Sequence, residues 1–366
     1  MCLDQSMLVV SPLLKRVVYP ALHHTGCLDR VTPSAGYAVV NYHGMLPAGA
    51  STGDLPLDGS LVHPEAFRQQ IQFLKTHYHI IHPEEFRASI EERKPLPPRS
   101  VLLTCDDGLV NAFTEMLPVM QSENVSCLFF VTAESCSDQP GMLWFHELYH
   151  LMRINPLIGM DQDLPADEDA AANPQSDFHS IWWSTVKKAS RWDRTTRADW
   201  LDRVRTSCNS MASSMKSSMG NSMESSAVSS ASDRQWRLMG TAELKQLTEA
   251  GMTIGAHSLS HAVLSLCSDE EARSEIQDSK IQLERALGRP VWAFAYPFGY
   301  GFTVGERELR MAQESGYSCA FVNVEHWDTE CNFALQRTHV TSDMTLPEFA
   351  AHLSGVHKLL QRAVAG

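Results

Sequence analysis

Ser100-Val-Leu-Leu-Thr-Cys-Asp-Asp-Gly108 is the stretch that decides the fold. Residues 100–105 form a nearly continuous apolar run, the pattern of a parallel strand buried on both faces. The run stops abruptly at Asp106-Asp107-Gly108. Before it, Tyr37-Ala-Val-Val-Asn-Tyr-His43 has the β-branched and aromatic content of another buried strand, which delivers Asn41 and His43 to its C-terminal end. Between the two, Phe67, Ile71, Phe73 and Leu74 recur at helical spacing over 64–78. After it, a helix over 110–124 leads to a strand over 125–132. Strand, helix and strand at this spacing predict βαβ units around a parallel sheet.

The alternation resumes at Thr241, a helix start with Leu244 and Leu247 on its buried face. A strand over 252–256 ends at His257. A helix over 268–287 is bounded by Ser268 with Glu271, a capping box, and by Gly288 with Pro290. A strand over 291–296 ends at Pro297-Phe-Gly299, and a helix over 306–315 precedes a strand over 317–323. Between these blocks, over 151–236, the pattern lapses. An acidic stretch at 161–169 precedes Trp182, Trp183, Trp192 and Trp200, which suit plain packing or an acceptor-binding wall equally. A Ser/Met tract at 207–232 lacks apolar periodicity and is expected to be a mobile linker.

The 366 residues fit one large unit with an insertion, and 43% apolar and 20% charged residues allow a sizeable core. A net charge of −13 argues against a general nucleic-acid binder, which needs cations against phosphates. No run is long and apolar enough to span a membrane. Asp4 stands where a signal peptide would be basic, and Lys15 and Arg16 interrupt the apolar start, so cytoplasmic residence is expected. Residues 1–35 read as an amphipathic extension, with 13–30 lying either on the main domain or on the inner face of the membrane. Nine cysteines in no regular spacing suggest reduced thiols.

Two adjacent carboxylates at the end of an apolar strand call for something positive, because burying like charges together is costly. Asp-Gly is also a common turn, so the pair alone does not decide. His257-Ser-Leu-Ser-His261 adds two imidazoles at i and i+4, close enough to hold one metal ion with Asp107. Every one of these residues falls just past a strand end, where β/α barrels place their sites.

Taken together, Thr104-Cys-Asp-Asp-Gly108, His257 to His261, Tyr42-His43, Leu102-Leu-Thr and Phe294-Ala-Tyr-Pro-Phe-Gly299 resemble the motifs of the polysaccharide deacetylases, carbohydrate esterase family four with the NodB-homology domain. The resemblance covers about 36–135 and 240–345. It implies an α/β fold, a distorted (β/α)7-type barrel of the NodB-homology kind over 36–345, with a long insertion between the second and third motif regions and a C-terminal helix over 346–366. It further implies Asp106 as general base, and Asp107, His257 and His261 as ligands of a divalent metal, zinc most often, with cobalt, nickel or manganese in some members. Backbone N–H groups near Tyr296, Pro297 and Phe298 would stabilise the oxyanion. The implied substrate is an N-acetylated glycan or glycolipid.

Two positions depart from the family pattern. Ala295 stands where many members have an arginine holding the catalytic aspartate, and Arg337 is the candidate to replace it. The acid that protonates the leaving amine would be His339 in Leu335-Gln-Arg-Thr-His339, with His43 in reserve. A sugar O-acyl esterase or deformylase would need the same groups, a non-catalytic glycan-binding relative would keep only the fold, and related barrels hydrolyse non-sugar amides.

Overall fold

The computed structural model describes residues 14–28, 36–46, 59–138, 140–165, 178–219, 236–323 and 331–365. Among these residues, nine strands form one parallel sheet: β1 Tyr37–Tyr42, β2 His79–Ile80, β3 Ser100–Cys105, β4 Leu128–Val131, β5 Thr253–Ala256, β6 Ala293–Ala295, β7 Cys319–Val322, β8 Leu335–Gln336 and β9 Thr338–His339. The order is β8-β7-β6-β5-β4-β3-β1-β9, with β2 paired to the start of β3. Because β8 and β9 are separated only by Arg337, the two edges of the sheet meet at consecutive residues. The result is a nearly closed barrel, the distorted (β/α)7 architecture expected from the sequence, with β8 and β9 sharing the last position.

Side-chain alternation along the strands sorts the core. Val39, Leu102, Leu128, Phe130, Ala293, Ala295, Cys319, Phe321 and Leu335 form one buried cluster, which fills the barrel. Their neighbours Val40, Leu103, Phe129, Ile254, Phe294 and Ala320 pack outward against helical residues such as Ile71, Leu247 and Ile276. Two residues further along, the inward set becomes polar: Asn41, Thr104, Thr132, Asn323 and Arg337, with Asp106 next after Thr104. The barrel therefore has an apolar body and a polar upper end.

The helices are α1 Tyr19–His24, α2 Pro64–His77, α3 Pro83–Glu91, α4 Leu117–Glu123, α5 Trp144–Ile154, α6 Phe178–Ala189, α7 Arg194–Met219, α8 Thr241–Glu249, α9 Asp269–Leu287, α10 Glu306–Glu314, α11 Leu346–Leu353 and α12 Val356–Ala365. In α9 the Ser268 hydroxyl accepts from the Glu271 N–H at 3.2 Å, and Gly288 ends the helix at φ 65°, as its flanking residues predict. The expected single C-terminal helix is two, α11 and α12, broken at Gly355, whose φ is 78°. The N-terminal segment packs on these helices: Lys15 pairs with Asp343 and Glu348 at 3.1 and 3.2 Å, and the buried Tyr19 hydroxyl lies 2.6 Å from His357 Nδ1. No helix among the described residues is long and apolar enough to cross a membrane, and the eight described cysteines are free.

Helices α5 to α7 build a second hydrophobic cluster that includes Trp144, Phe145, Trp182 and Trp200. Two of the four tryptophans of the irregular region are thus buried packing residues. The Ser/Met tract differs from expectation where it is described, because α7 continues to Met219. Ser210 and Ser213 return their hydroxyls to carbonyls four residues back, at 3.0 and 2.8 Å, which satisfies them within the helix. Residues 220–232 of the tract lie outside the described residues.

Candidate active site

The polar upper end of the barrel gathers the chemistry. Asp106 follows β3 and is buried, with 1% exposure. Arg337, at the seam between β8 and β9, grips it with both arms: Nη1 to Oδ1 and Nη2 to Oδ2, each 2.7 Å. The guanidinium lies over Phe130 and Phe321, the top of the apolar plug, at 5.5 and 5.9 Å from their ring centres. Such a planar fork fits a carboxylate in a way a lysine cannot. Burial alone would raise the Asp106 carboxyl, but Arg337 and His257 outweigh it and hold the group below its ordinary value.

Asp107 turns the other way. Its φ of 74° places it in the left-handed region, and Gly108 follows at 75°. Its Oδ1 lies 3.5 Å from His257 Nε2 and 3.2 Å from His261 Nε2. Burial opposes its charge, but hydrogen bonds from the two imidazoles prevail and hold it well below the usual carboxylate range. His261 is itself shifted down, chiefly by burial, which favours the neutral imidazole that a metal needs. His257 Nδ1 lies 2.7 Å from the Ala295 carbonyl oxygen, the partner that fixes a ligand's ring and leaves Nε2 for the ion.

These three residues are a group able to hold a metal ion, with ligand atoms within 4.8 Å of one another. The fit is good on two counts. Donors about 2.1 Å from a tetrahedral centre stand roughly 3.4 Å apart, close to both Asp107 distances. Two imidazoles and one carboxylate are also the set that suits zinc and its first-row neighbours.

The remaining predicted residues fall unequally. His43 Nε2 lies 4.0 Å from Asp106 Oδ2, and the His339 ring packs edge-on against His43, centres 4.8 Å apart. Phe298 packs its ring on His261 at 4.7 Å, on Phe145 and on Trp183. Its N–H has no acceptor among the described residues. Tyr296 is a correction: its N–H donates to Phe321 across the sheet, its hydroxyl to Phe333, and its ring is buried among outward core residues. An amide already engaged in the sheet cannot serve an oxyanion, and Pro297 has no N–H to offer. Cys105 is buried, which pushes its thiol well above the ordinary value and makes it a packing residue.

The positioning roles of three residues escape sequence reasoning, although it places Asn41 at its strand end and Thr104 within the motif. Asn41 donates to Asp106 Oδ2 at 3.0 Å, the Thr104 hydroxyl lies 2.8 Å from the Val40 carbonyl and 3.1 Å from Asn41 Oδ1, and Asn323 donates to the Phe298 carbonyl at 3.1 Å. All are inward polar residues at strand ends, a signal available once the alternation of each strand is followed past its last apolar residue.

Comparison with known proteins agrees with this fold. The polysaccharide deacetylase family model matches residues 219–320, the segment that carries His257 and His261. No curated protein sequence matches the chain. Among solved structures, the chain is similar to the deacetylase PplD of Streptococcus pyogenes, solved with acetate, at 16% identity and a TM-score of 0.52 over 87% of this chain and 97% of that one. It is similar to IcaB of Ammonifex degensii at 17% identity and 0.52, over the same shares. A de-N-acetylase of Aggregatibacter actinomycetemcomitans gives 10% and 0.53, over 86% and 98%. At these identities the likeness is one of fold. In its fold, its matched segment and the order of its motifs, the family this chain resembles is that of the polysaccharide deacetylases.

Proposed function

We propose that the chain is a metal-dependent hydrolase that removes an N-acetyl group from an amino sugar in a glycan or glycolipid. One observation carries the reading: two adjacent aspartates at one strand end have opposite surroundings, Asp107 facing two imidazoles and Asp106 a guanidinium. That division is what a ligand and a base require of neighbouring carboxylates. Asp107, His257 and His261 would hold a divalent cation, Zn2+ first and Co2+, Ni2+ or Mn2+ as alternatives. When bound, the ion supplies Lewis acidity, polarising the acyl carbonyl and acidifying the attacking water.

The chain's own residues do the rest. Asp106, held ionised by Arg337 and aimed by Asn41, accepts the proton of the attacking water. The Phe298 N–H is the donor best placed by its freedom to meet the developing oxyanion. His43, next to Asp106, is the imidazole nearest the base, and His339 supports it edge-on, so this pair supplies the proton to the leaving amine. An acetylated sugar is neutral at the reacting group, in keeping with a site whose guanidinium, that of Arg337, is already paired with Asp106.

The test is incubation of the zinc-loaded protein with N-acetylated amino-sugar oligomers, followed by acetate assay and mass spectrometry. Acetate release matched by one new amine per lost acetyl group supports the reading. Acetate without a new amine would shift it to an O-acyl esterase, and no release from any acetylated sugar would overturn it.

A further inference from the structure

The two imidazoles of the 257–261 loop are held differently. His257 is fixed through its ring, by the contact of Nδ1 with Ala295. His261 Nδ1 is buried with no hydrogen-bond partner among the described residues. A ligating histidine is ordinarily oriented through that second nitrogen. The orientation of His261 must therefore come from its backbone and its packing, and that backbone is unfavourable: Ser258 and His261 both adopt the left-handed region, at φ 64° and 57°.

What holds it lies on the outer side of the loop. Glu275 of α9, 1% exposed, accepts from the N–H groups of Leu259 and Ser260 on Oε2, both at 2.9 Å, and from Ser260 Oγ on Oε1 at 2.7 Å. The His261 carbonyl accepts from Trp144 Nε1 at 3.3 Å. Arg197 of α7 lies over the Trp144 ring at 4.8 Å and reaches Ser260 Oγ at 3.5 Å. Arg197 and Trp144 are 3% and 7% exposed and belong to the helical layer formed by α5 to α7. A buried carboxylate and a buried guanidinium thus meet at one hydroxyl behind the loop, a costly arrangement unless each is fully used.

We infer that Glu275, Trp144 and Arg197 are positioning residues that aim His261 at the metal, so that the helical layer inserted between the motifs completes the metal site from behind. The inference rests on the reading of Asp107, His257 and His261 as metal ligands. It makes metal affinity depend on residues that touch neither ion nor substrate.

The experiment uses the full chain and three variants: Glu275→Gln, Trp144→Phe and Arg197→Met. Zn2+ affinity is measured by chelator competition, the Co2+ absorption spectrum reports ligand geometry, and the urea midpoint of each metal-free protein reports folding. Glu275→Gln is expected to weaken Zn2+ binding about 10- to 100-fold and to alter the Co2+ bands, with smaller losses in the other two. Folded variants with wild-type Zn2+ affinity and Co2+ spectra would overturn the inference. If Glu275→Gln does not fold, Trp144→Phe, which keeps an aromatic side chain but removes the N–H together with part of the indole, decides by the same readouts, its urea midpoint separating lost packing from lost metal affinity. Wild-type protein that binds no Zn2+ would overturn the metal reading itself, and the inference with it.

Discussion

Replacing Arg337 by methionine keeps most of the side-chain volume and removes the fork that holds Asp106. Both members of the pair are buried, side-chain exposure being 0% and 1%, so solvent cannot take over. Deleting one partner of a buried pair costs about 3–5 kcal/mol, because the other charge stays behind. Asn41 at 3.0 Å and His43 at 4.0 Å remain near Asp106, which places the expected loss at the lower end of that range. The catalytic effect has a sign. The arginine helps hold the Asp106 carboxyl below its ordinary value against the burial that would raise it. Its removal leaves burial to raise the carboxyl, so the acidic limb of the rate profile moves upward and activity falls more on the acidic side of the profile than on the alkaline side. Acetate release across the profile and urea denaturation read the two effects, and Arg337→Lys, with the charge but not the fork, should fall between. A folded Arg337→Met protein with an unmoved acidic limb would refute the role given to Asp106.

Asp106→Asn should retain metal and lose about 10²- to 10⁴-fold in rate, while His257→Ala should lose both, as metal analysis beside the acetate assay would show. Gly44→Ala should destabilise by about 1–3 kcal/mol in urea titration, because its Cβ would stand 2.1 Å from Asn111 Oδ1 and its φ is 125°. Stability should also fall on mild acidification through His352, which stacks on His357 with ring centres 3.8 Å apart. Burial, with help from His357, lowers its pKa to about 3. Its folded value is depressed, so the contribution is fully present above about pH 6.5 and is lost towards pH 3, at up to about 1.4 kcal/mol per pH unit. His352→Phe should flatten that slope.

Much of this architecture is legible in the chain. The apolar run 100–105 is wholly buried in β3, and Ser268 and Gly288 bound α9 at the expected residues, because local backbone chemistry decides both. The aspartate pair and the imidazole pair stand out because charged and ligating groups at strand ends have few structural reasons to be there. Arg337 enters the sequence argument only as a substitute for a guanidinium missing at Ala295. Its grip on Asp106 depends on closure of the barrel, which joins strands 231 residues apart. Tyr296 misleads because the fate of a backbone N–H at a strand end is decided by the adjacent strand, here through Phe321. Trp144 and Arg197 carry no motif, and their place behind His261 follows from how the inserted helices pack. The helix through the start of the Ser/Met tract is equally hidden, since serine propensity is weak and the buried anchors Trp200, Val204 and Cys208 lie upstream or at its edge.

The central claim is that one cation sits among Asp107, His257 and His261. Anomalous diffraction from crystals of the full chain grown with Zn2+ tests it most directly. A single strong peak bounded by Asp107 Oδ1 and the Nε2 atoms of His257 and His261 is the predicted result. Fully zinc-loaded crystals with no density there, or with the ion held by other residues, would contradict it.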